Sequence, residues 1–308
     1  MRRALKLRIA TRNSQLALWQ TDFVIAALKQ VYPQINCEKI ELLTQGDKDL
    51  SSPLAKIGGK GLFLKELELA LLNNEADIAV HSLKDVPAQQ TPGLALITFL
   101  TRENPEDVLL TRDARTLAQL PPGARIGTSS LRRVSQLKAL RPDLDYQWLR
   151  GNVPTRIKKL IQGEYEAIVL AFAGLIRLQL TDLISERLTS AQCLPAVGQG
   201  VIVIQARTND AATQAYCAPL DDPRTRICIE AERAMHARLG GSCQTPIAGL
   251  ATIKGEHVEL HALVGAPDGS EIIREQQSGI AQFASQIGVQ VAERLLARGA
   301  DRILNETR

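Results

Sequence analysis

Arginines recur in this chain where an apolar, strand-like run gives way to a helical pattern. Arg12 stands in TRNS, Arg132 and Arg133 open the helix introduced by GTSS, Arg150 and Arg156 bracket RGNVPTR, and Arg177 follows AFAG. In an α/β layer such junctions fall on the carboxyl edge of the sheet, where helix N-termini offer free N–H groups and a partial positive charge. A guanidinium placed there opposes the helix dipole and costs stability until an anion arrives. Its planar fork pairs carboxylates or phosphates in bidentate fashion, which a lysine ammonium does not do. Phosphate is the less favoured ligand, because no G-x-x-x-x-G-K-[ST] loop is present. The set therefore reads as a cradle for a polycarboxylate; the alternative is a series of surface arginines with local carboxylate partners.

Lys56 and Lys60 sit in the glycine-rich PLAKIGGKG, either a solvated tip or a mobile lid over an anion. HSLKDVP ends a strand and brings His81, Lys84 and Asp85 to the same edge. Asp85 is then either a neutralising partner for an arginine or a group that binds ligand N–H and stabilises positive charge during a reaction. His81 reads as a hydrogen-bonded structural histidine. Cys243 lies in LGGSCQTPIAG among small residues, past a helix C-terminus where the dipole does not lower a thiol pKa. On its own this loop holds either an incidental exposed thiol or one that the basic cleft activates. No histidine stands near it in a protease-like pattern. The five cysteines, 37, 193, 217, 228 and 243, form no C-x-x-C pair and none has a histidine at zinc-finger spacing. Neither a metal site nor a disulfide framework is expected.

The elements that must position these groups alternate strand and helix. LKLRIAT, EKIELLT and ADIAVHS read as strands, SQLALWQTDFVIAALKQ as a helix capped by Ser14, and GLFLKELELALLNN as a second helix. The rhythm restarts after TRENPED: strands ARIG, LDYQWL and EAIVLA each lead to a helix, SSLRRVSQLKALR, VPTRIKKLIQG and GLIRLQL. After CLPAVGQG, VIVIQAR is one more strand. Two punctuated crossings, near 101–106 and 194–200, predict two α/β lobes joined by a double hinge. The last third, with helix RICIEAERAMHARL, strands IAGLATI, HVELHALVG and EIIREQQ, and a closing helix AQFASQIGVQVAERLLARG, reads as a small α+β unit. The expected division is residues 1–100 with 200–218, residues 105–194, and residues 220–308.

Composition narrows the function. The chain has 308 residues, 45% apolar and 23% charged, which is globular rather than disordered. The net charge of +4 is modest, and aromatics at 4% disfavour a base-stacking platform for single-stranded nucleic acid. No run approaches the roughly 18 apolar residues of a membrane span. The basic start is broken by Lys6 and Arg8 and does not read as a signal peptide, so a cytoplasmic protein is expected.

Taken together, ATRNSQLALWQ, PLAKIGGKGLFLKELELALL, ADIAVHSLKDVP, GTSSLRRVSQL, RGNVPTR, AFAGLIRL, LPAVGQG, AERAM and GGSCQTPIAG closely resemble the porphobilinogen deaminase (hydroxymethylbilane synthase) family. They come in the family's order across residues 9–249. The resemblance implies a monomeric α/β protein of three domains: two lobes like type II periplasmic binding proteins, with mainly parallel mixed sheets, and a small α+β C-terminal domain. It implies a transferase of tetrapyrrole and haem biosynthesis that condenses four porphobilinogens on a covalent dipyrromethane primer. Ammonia is released at each addition, and linear hydroxymethylbilane is freed by hydrolysis. It makes Cys243 the thioether anchor of that cofactor and Asp85 the catalytic carboxylate that hydrogen-bonds pyrrole N–H groups. Arg12, Ser14, Lys84, Ser130, Arg132, Arg133, Arg150, Arg156 and Arg177 match positions that bind cofactor or substrate carboxylates. Lys60 is a further contact, and Lys56 belongs to a mobile loop.

Three positions depart from the family pattern: Ser242 where glycine is frequent, Gln205 where glutamate is usual, and Pro154 at a variable site acceptable early in a helix. Two other classes remain to be weighed. A non-catalytic two-lobed anion binder needs neither Cys243 nor Asp85, and a nucleic-acid binder predicts an extended basic stripe with steep salt dependence.

Overall fold

A computed structural model describes residues 6–44, 46, 64–242 and 245–307. The chain opens with β1 (Lys6–Arg12), α1 (Gln15–Val31), β2 (Asn36–Leu42), α2 (Lys65–Leu72), β3 (Ile78–Ser82) and β4 (Leu94–Phe99). Ser14 caps α1, its Oγ accepting from the Ala17 N–H at 3.4 Å. Gln20, Thr21, Val24 and Leu28 form the buried side of α1, at the spacing that puts one helical stripe against a sheet. Then follow β5 (Asp107–Thr111), β6 (Arg125–Gly127), α3 (Leu131–Leu140), β7 (Asp145–Gln147), α4 (Val153–Ile161), β8 (Ala167–Ala171), α5 (Phe172–Arg177) and β9 (Glu186–Leu188). Asn152 caps α4 by accepting from the Thr155 N–H at 3.0 Å, and Pro154 sits in the first turn, where its missing N–H costs nothing. After β10 (Ile202–Arg207) and α6 (Ala211–Cys217), the last third contains α7 (Pro223–Arg238), β11 (Ile247–Lys254), β12 (His257–Gly265), β13 (Ile272–Ile280), α8 (Ala284–Ala297) and α9 (Ala300–Glu306).

These elements form two similar mixed sheets and one small meander. The first sheet has the order β2-β1-β3-β10-β4, with β1 parallel to β2 and β3, and β10 antiparallel to both its neighbours. The second repeats the plan as β7-β6-β8-β5-β9, with β5 as the reversed strand. Each sheet thus receives its reversed strand just after the chain crosses over from the other. The fold class is mixed α/β, two five-stranded mixed sheets plus a small α+β C-terminal region. In that region β11, β12 and β13 form an antiparallel meander. Met235, Val258, Leu260, Val291 and Leu295 close its core against the helices.

The two crossings run side by side. Glu103 N–H donates to the Gly200 carbonyl at 3.1 Å. Gly200 has φ +87°, and a Cβ there would lie 2.2 Å from the Glu103 carbonyl oxygen, so only glycine lets the strands meet. Glu232 of α7, fully buried, ties both crossings to the third unit. It accepts from Arg102 Nη1 at 2.7 Å, the Gly198 N–H at 2.8 Å and the Ala251 N–H at 2.8 Å.

Three local expectations shift. The helix after AFAG starts at Phe172 rather than Gly174, so Arg177 is its last residue. β4, β5 and β9 were not anticipated; DVLLT is buried along its whole length and carries no alternation to mark it. The closing helix ends at Ala297, because Gly299 turns left-handed at φ +91° and a second short helix begins.

Candidate active site

The carboxyl ends of β1 and β3 bring the first group together. Arg12 is the last residue of β1, Ser14 caps the next helix, and Asp85 lies in the single turn Leu83–Asp85 that follows β3. Arg12, Ser14, Gln20, His81, Ser82 and Asp85 line one small cleft of about 70 Å³. Gln20 braces it from α1, donating Nε2 to Ser82 Oγ at 2.8 Å. Asp85, half-buried, accepts no hydrogen bond among the described residues.

Lys84, next in line, reaches a second cluster. Its Nζ donates to Gln199 Oε1 at 3.4 Å, and Gln199 Nε2 donates to Asp107 Oδ1 at 2.9 Å. Asp107, at the start of β5 and fully buried, is clamped by both arginines of α3: Arg132 Nη1 lies 2.7 Å from Oδ2 and Arg133 Nη2 2.7 Å from Oδ1. Burial alone would raise the Asp107 pKa, but the two guanidiniums outweigh it and hold the carboxyl well below the usual range. Lys84 moves the other way, lowered to about 8 by burial and by Arg133, with Asp85 and Asp107 opposing. Cys193 packs against the clamp at 3.3 Å from Asp107, its thiol pushed up to about 12 by burial and that carboxylate.

The remaining cations approach from the second sheet. Arg156 in α4 donates Nε to the Gly151 carbonyl at 2.7 Å. Its pKa is lowered to about 10 by burial and by the charges of Arg133 and Arg150, while Asp85 opposes the shift. Arg177 donates Nη2 to the Gly200 carbonyl at 2.7 Å, packs over the Trp19 ring, and is lowered to about 10 by burial against the pull of Glu103. Ser130 stands at the N-cap of α3 without a side-chain capping bond. The structure thus brings Arg12, Ser14 and Asp85 into one cleft. The charges of Lys84, Arg133, Arg150 and Arg156 act on one another or on Asp85. Arg132 and Arg133 differ from the expectation in that both already hold an internal carboxylate. Cys243, Lys56 and Lys60 lie outside the described residues.

A larger cavity of about 360 Å³ is lined by Gln15, Pro154, Ile157, Lys158, Ile161, Leu178 and Leu180. Its walls are mostly apolar and it contains none of the predicted residues, so the polar cleft is the candidate site.

Sequence reasoning missed Asp107, Gln199, Glu232 and Gln20. Asp107 had a signal: a charged residue opening a wholly apolar run must be paired if that run is buried. Gln20 and Glu232 look like ordinary helix-surface residues until the sheet contacts are known.

Cations at the ends of strands in two sheets, a reversed strand in each sheet and a double crossing define an α/β protein built on two sheets of like topology. Residues 7–215 match the model for porphobilinogen deaminase, dipyromethane cofactor binding domain, and residues 226–297 match porphobilinogen deaminase, C-terminal domain. The chain belongs to the porphobilinogen deaminase family. Similar solved structures include the VFT2 domain of BvgS from Bordetella pertussis, at 16% identity over 69% of this chain and 84% of that one, TM-score 0.44. The aliphatic sulphonate binding protein SsuA from Escherichia coli matches at 14% identity over 75% and 70%, TM-score 0.41. A probable amino-acid transporter binding protein, ytmK from Bacillus subtilis, matches at 10% identity over 71% and 90%, TM-score 0.42. Among the described residues no helix is long and apolar enough to cross a membrane.

Proposed function

We propose that this chain is a hydroxymethylbilane synthase. It joins four porphobilinogen molecules head to tail on a dipyrromethane held through a thioether by Cys243, releasing ammonia and then the linear tetrapyrrole. The observation that carries this reading is Asp85, a carboxylate with no hydrogen-bond donor among the described residues, set in a cleft with Arg12 and within the field of Lys84 and Arg156. A carboxylate used to neutralise an arginine would be paired; one kept for a ligand N–H is not.

The donor set fits a dipyrromethane bearing acetate and propionate groups. Burial and neighbouring guanidiniums depress Lys84 and Arg156, so positive charge in the cleft is under-compensated and favours carboxylates. When bound, the cofactor supplies the free pyrrole α-carbon to which the first substrate is joined. Arg12, Ser14, Lys84, Ser130, Arg150, Arg156 and Arg177 would hold its carboxylates and those of the substrate. Arg132 and Arg133 would act through charge, two guanidiniums against the single Asp107 carboxylate. Lys60 would add a contact and Lys56 would belong to the loop that covers the site. Asp85 would accept from pyrrole N–H groups and stabilise positive charge as ammonia departs. Each of the first two sheets with its helices, and the C-terminal α+β unit, would be one domain, in a monomeric cytoplasmic enzyme.

The test is incubation with porphobilinogen, following ammonia and the tetrapyrrole product. Asp85→Asn should lower turnover by about 10²–10³-fold. Near-normal turnover would remove Asp85 from the reaction, and no consumption of porphobilinogen by the cofactor-loaded protein would overturn the reading.

A further inference from the structure

Behind the cleft, a chain of hydrogen bonds runs from the surface of α2 to His81. Thr91 Oγ1 donates to Glu68 Oε2 at 2.7 Å, and Gln205 Nε2 donates to Glu68 Oε1 at 2.9 Å. Gln205 Oε1 then faces His81 Nε2 at 3.0 Å. Register explains the meeting: Gln205 on β10 pairs with Ala79 of β3, two residues along from His81 and so on the same face of the sheet, with its side chain fully buried.

The direction of each bond is forced. A carboxylate only accepts, so the Gln205 atom facing Glu68 must be the amide nitrogen, and the atom facing His81 must be the oxygen. An amide oxygen has no proton to give, so His81 Nε2 must carry one. A neutral imidazole has a single ring proton, and Nδ1 is then an acceptor.

From this we propose that Gln205 is a positioning residue that holds His81 as the neutral Nε2–H tautomer, leaving Nδ1 as a hydrogen-bond acceptor in the Asp85 cleft for the pyrrole N–H of the substrate. The ligand part rests on the function proposed above; the tautomer part does not. His81 is 6% exposed, lines the cleft with Arg12, Ser14 and Asp85, and makes no other hydrogen bond among the described residues. The charged groups around it are Arg12 at the end of β1, Asp85 in the following turn, and Glu68 on α2 behind Gln205. Burial, with Arg12 adding to it, lowers the imidazole to about 4 against the Gln205 hydrogen bond, so it stays neutral near pH 7. Such an acceptor has a specific use. It takes a ligand N–H without placing a second negative charge in a cleft that must attract carboxylates. A glutamate at 205 would instead favour the imidazolium and turn Nδ1 into a donor.

The experiment is ¹H–¹⁵N multiple-bond correlation on cofactor-loaded protein with ¹⁵N-labelled histidine at pH 7, with His81→Gln identifying the signals. Wild-type His81 should show a protonated Nε2 and an unprotonated Nδ1. Adding the pyrrole that carries acetate and propionate but no aminomethyl group, which cannot be turned over, should shift the Nδ1 resonance. Gln205→Glu should raise the His81 midpoint by about 1–3 units and weaken binding of this probe about tenfold. An Nδ1–H tautomer or an imidazolium in the wild type at pH 7 would overturn the proposal. So would a bound probe that leaves Nδ1 unmoved. Failure to consume porphobilinogen would count against the function and not the tautomer, which the wild-type spectrum decides by itself.

Discussion

Asp107 Oδ1 accepts from Arg133 twice, from Nη2 at 2.7 Å and from Nε at 3.1 Å, while Arg133 Nη1 donates to the Val169 carbonyl at 2.8 Å. Every nitrogen of that guanidinium is therefore engaged inside the protein. Arg132 is held on the other carboxylate oxygen and also donates to the Leu194 carbonyl at 2.8 Å. Because Leu194 belongs to the returning crossing, the clamp joins β5, α3 and that crossing in one buried unit.

Replacing Asp107 with asparagine leaves two buried guanidiniums facing a neutral amide. The expected loss is about 3–5 kcal/mol, as for removal of one partner from a buried pair. Urea unfolding of Asp107→Asn measures it, and a loss under about 1 kcal/mol would show that the clamp is not a structural necessity.

Glu232 is the corresponding tie between the crossings and the C-terminal unit. Glu232→Gln should destabilise by several kcal/mol, on the order of 3, because Arg102, whose buried Nε and Nη2 already have no partner among the described residues, would then face only a neutral amide at Nη1. In a double-mutant cycle with Arg102→Gln, the pair should show a coupling of about 1–3 kcal/mol. Additive losses would mean that the two residues act independently.

Acid should loosen the fold before its carboxylates titrate. His81 and His236 are both lowered to about 4, His81 by burial with Arg12 adding and His236 by burial with Arg233 adding. An unfolded histidine titrates near 6.5, so below that pH the unfolded chain binds more protons. Stability is full above about pH 6.5, falls as pH drops toward 4, and changes no further from these groups below it. Between pH 6.5 and 5 the loss should be on the order of 1–2 kcal/mol per histidine. Unfolding midpoints across that interval check this, and a flat profile would contradict the burial of both rings as neutral imidazoles.

Lys84 predicts a proton linked to binding. With its pKa lowered to about 8, it is partly deprotonated at pH 8.5. A carboxylate arriving beside it favours the ammonium form, so binding should take up a fraction of a proton. Calorimetric titration with the acetate- and propionate-bearing pyrrole, in two buffers of different ionisation enthalpy, should give different heats. Lys84→Arg should abolish the difference; equal heats in the wild type would place Lys84 away from the ligand.

Much of this was legible because periodicity and junction chemistry are local. Ser14 as a cap, the strand ending at Ser82 and the position of Asp85 in the turn after it follow from a few neighbouring residues. The clamp was not legible, because its partners are 25 and 26 residues apart and meet only when β5 runs antiparallel beside β8. Arg132 and Arg133 therefore looked like free cations at a helix N-terminus. Gln205 stood out as a departure in the sequence, yet its consequence for His81 depends on the register between β10 and β3.

The central claim is that Cys243 anchors a dipyrromethane for chemistry at Asp85. Intact mass spectrometry of freshly purified, active protein tests it most directly. The account predicts a mass increment equal to one dipyrromethane, resistant to thiol reductants because the bond is a thioether, and absent from Cys243→Ala. An unmodified mass in protein that still converts porphobilinogen would contradict it.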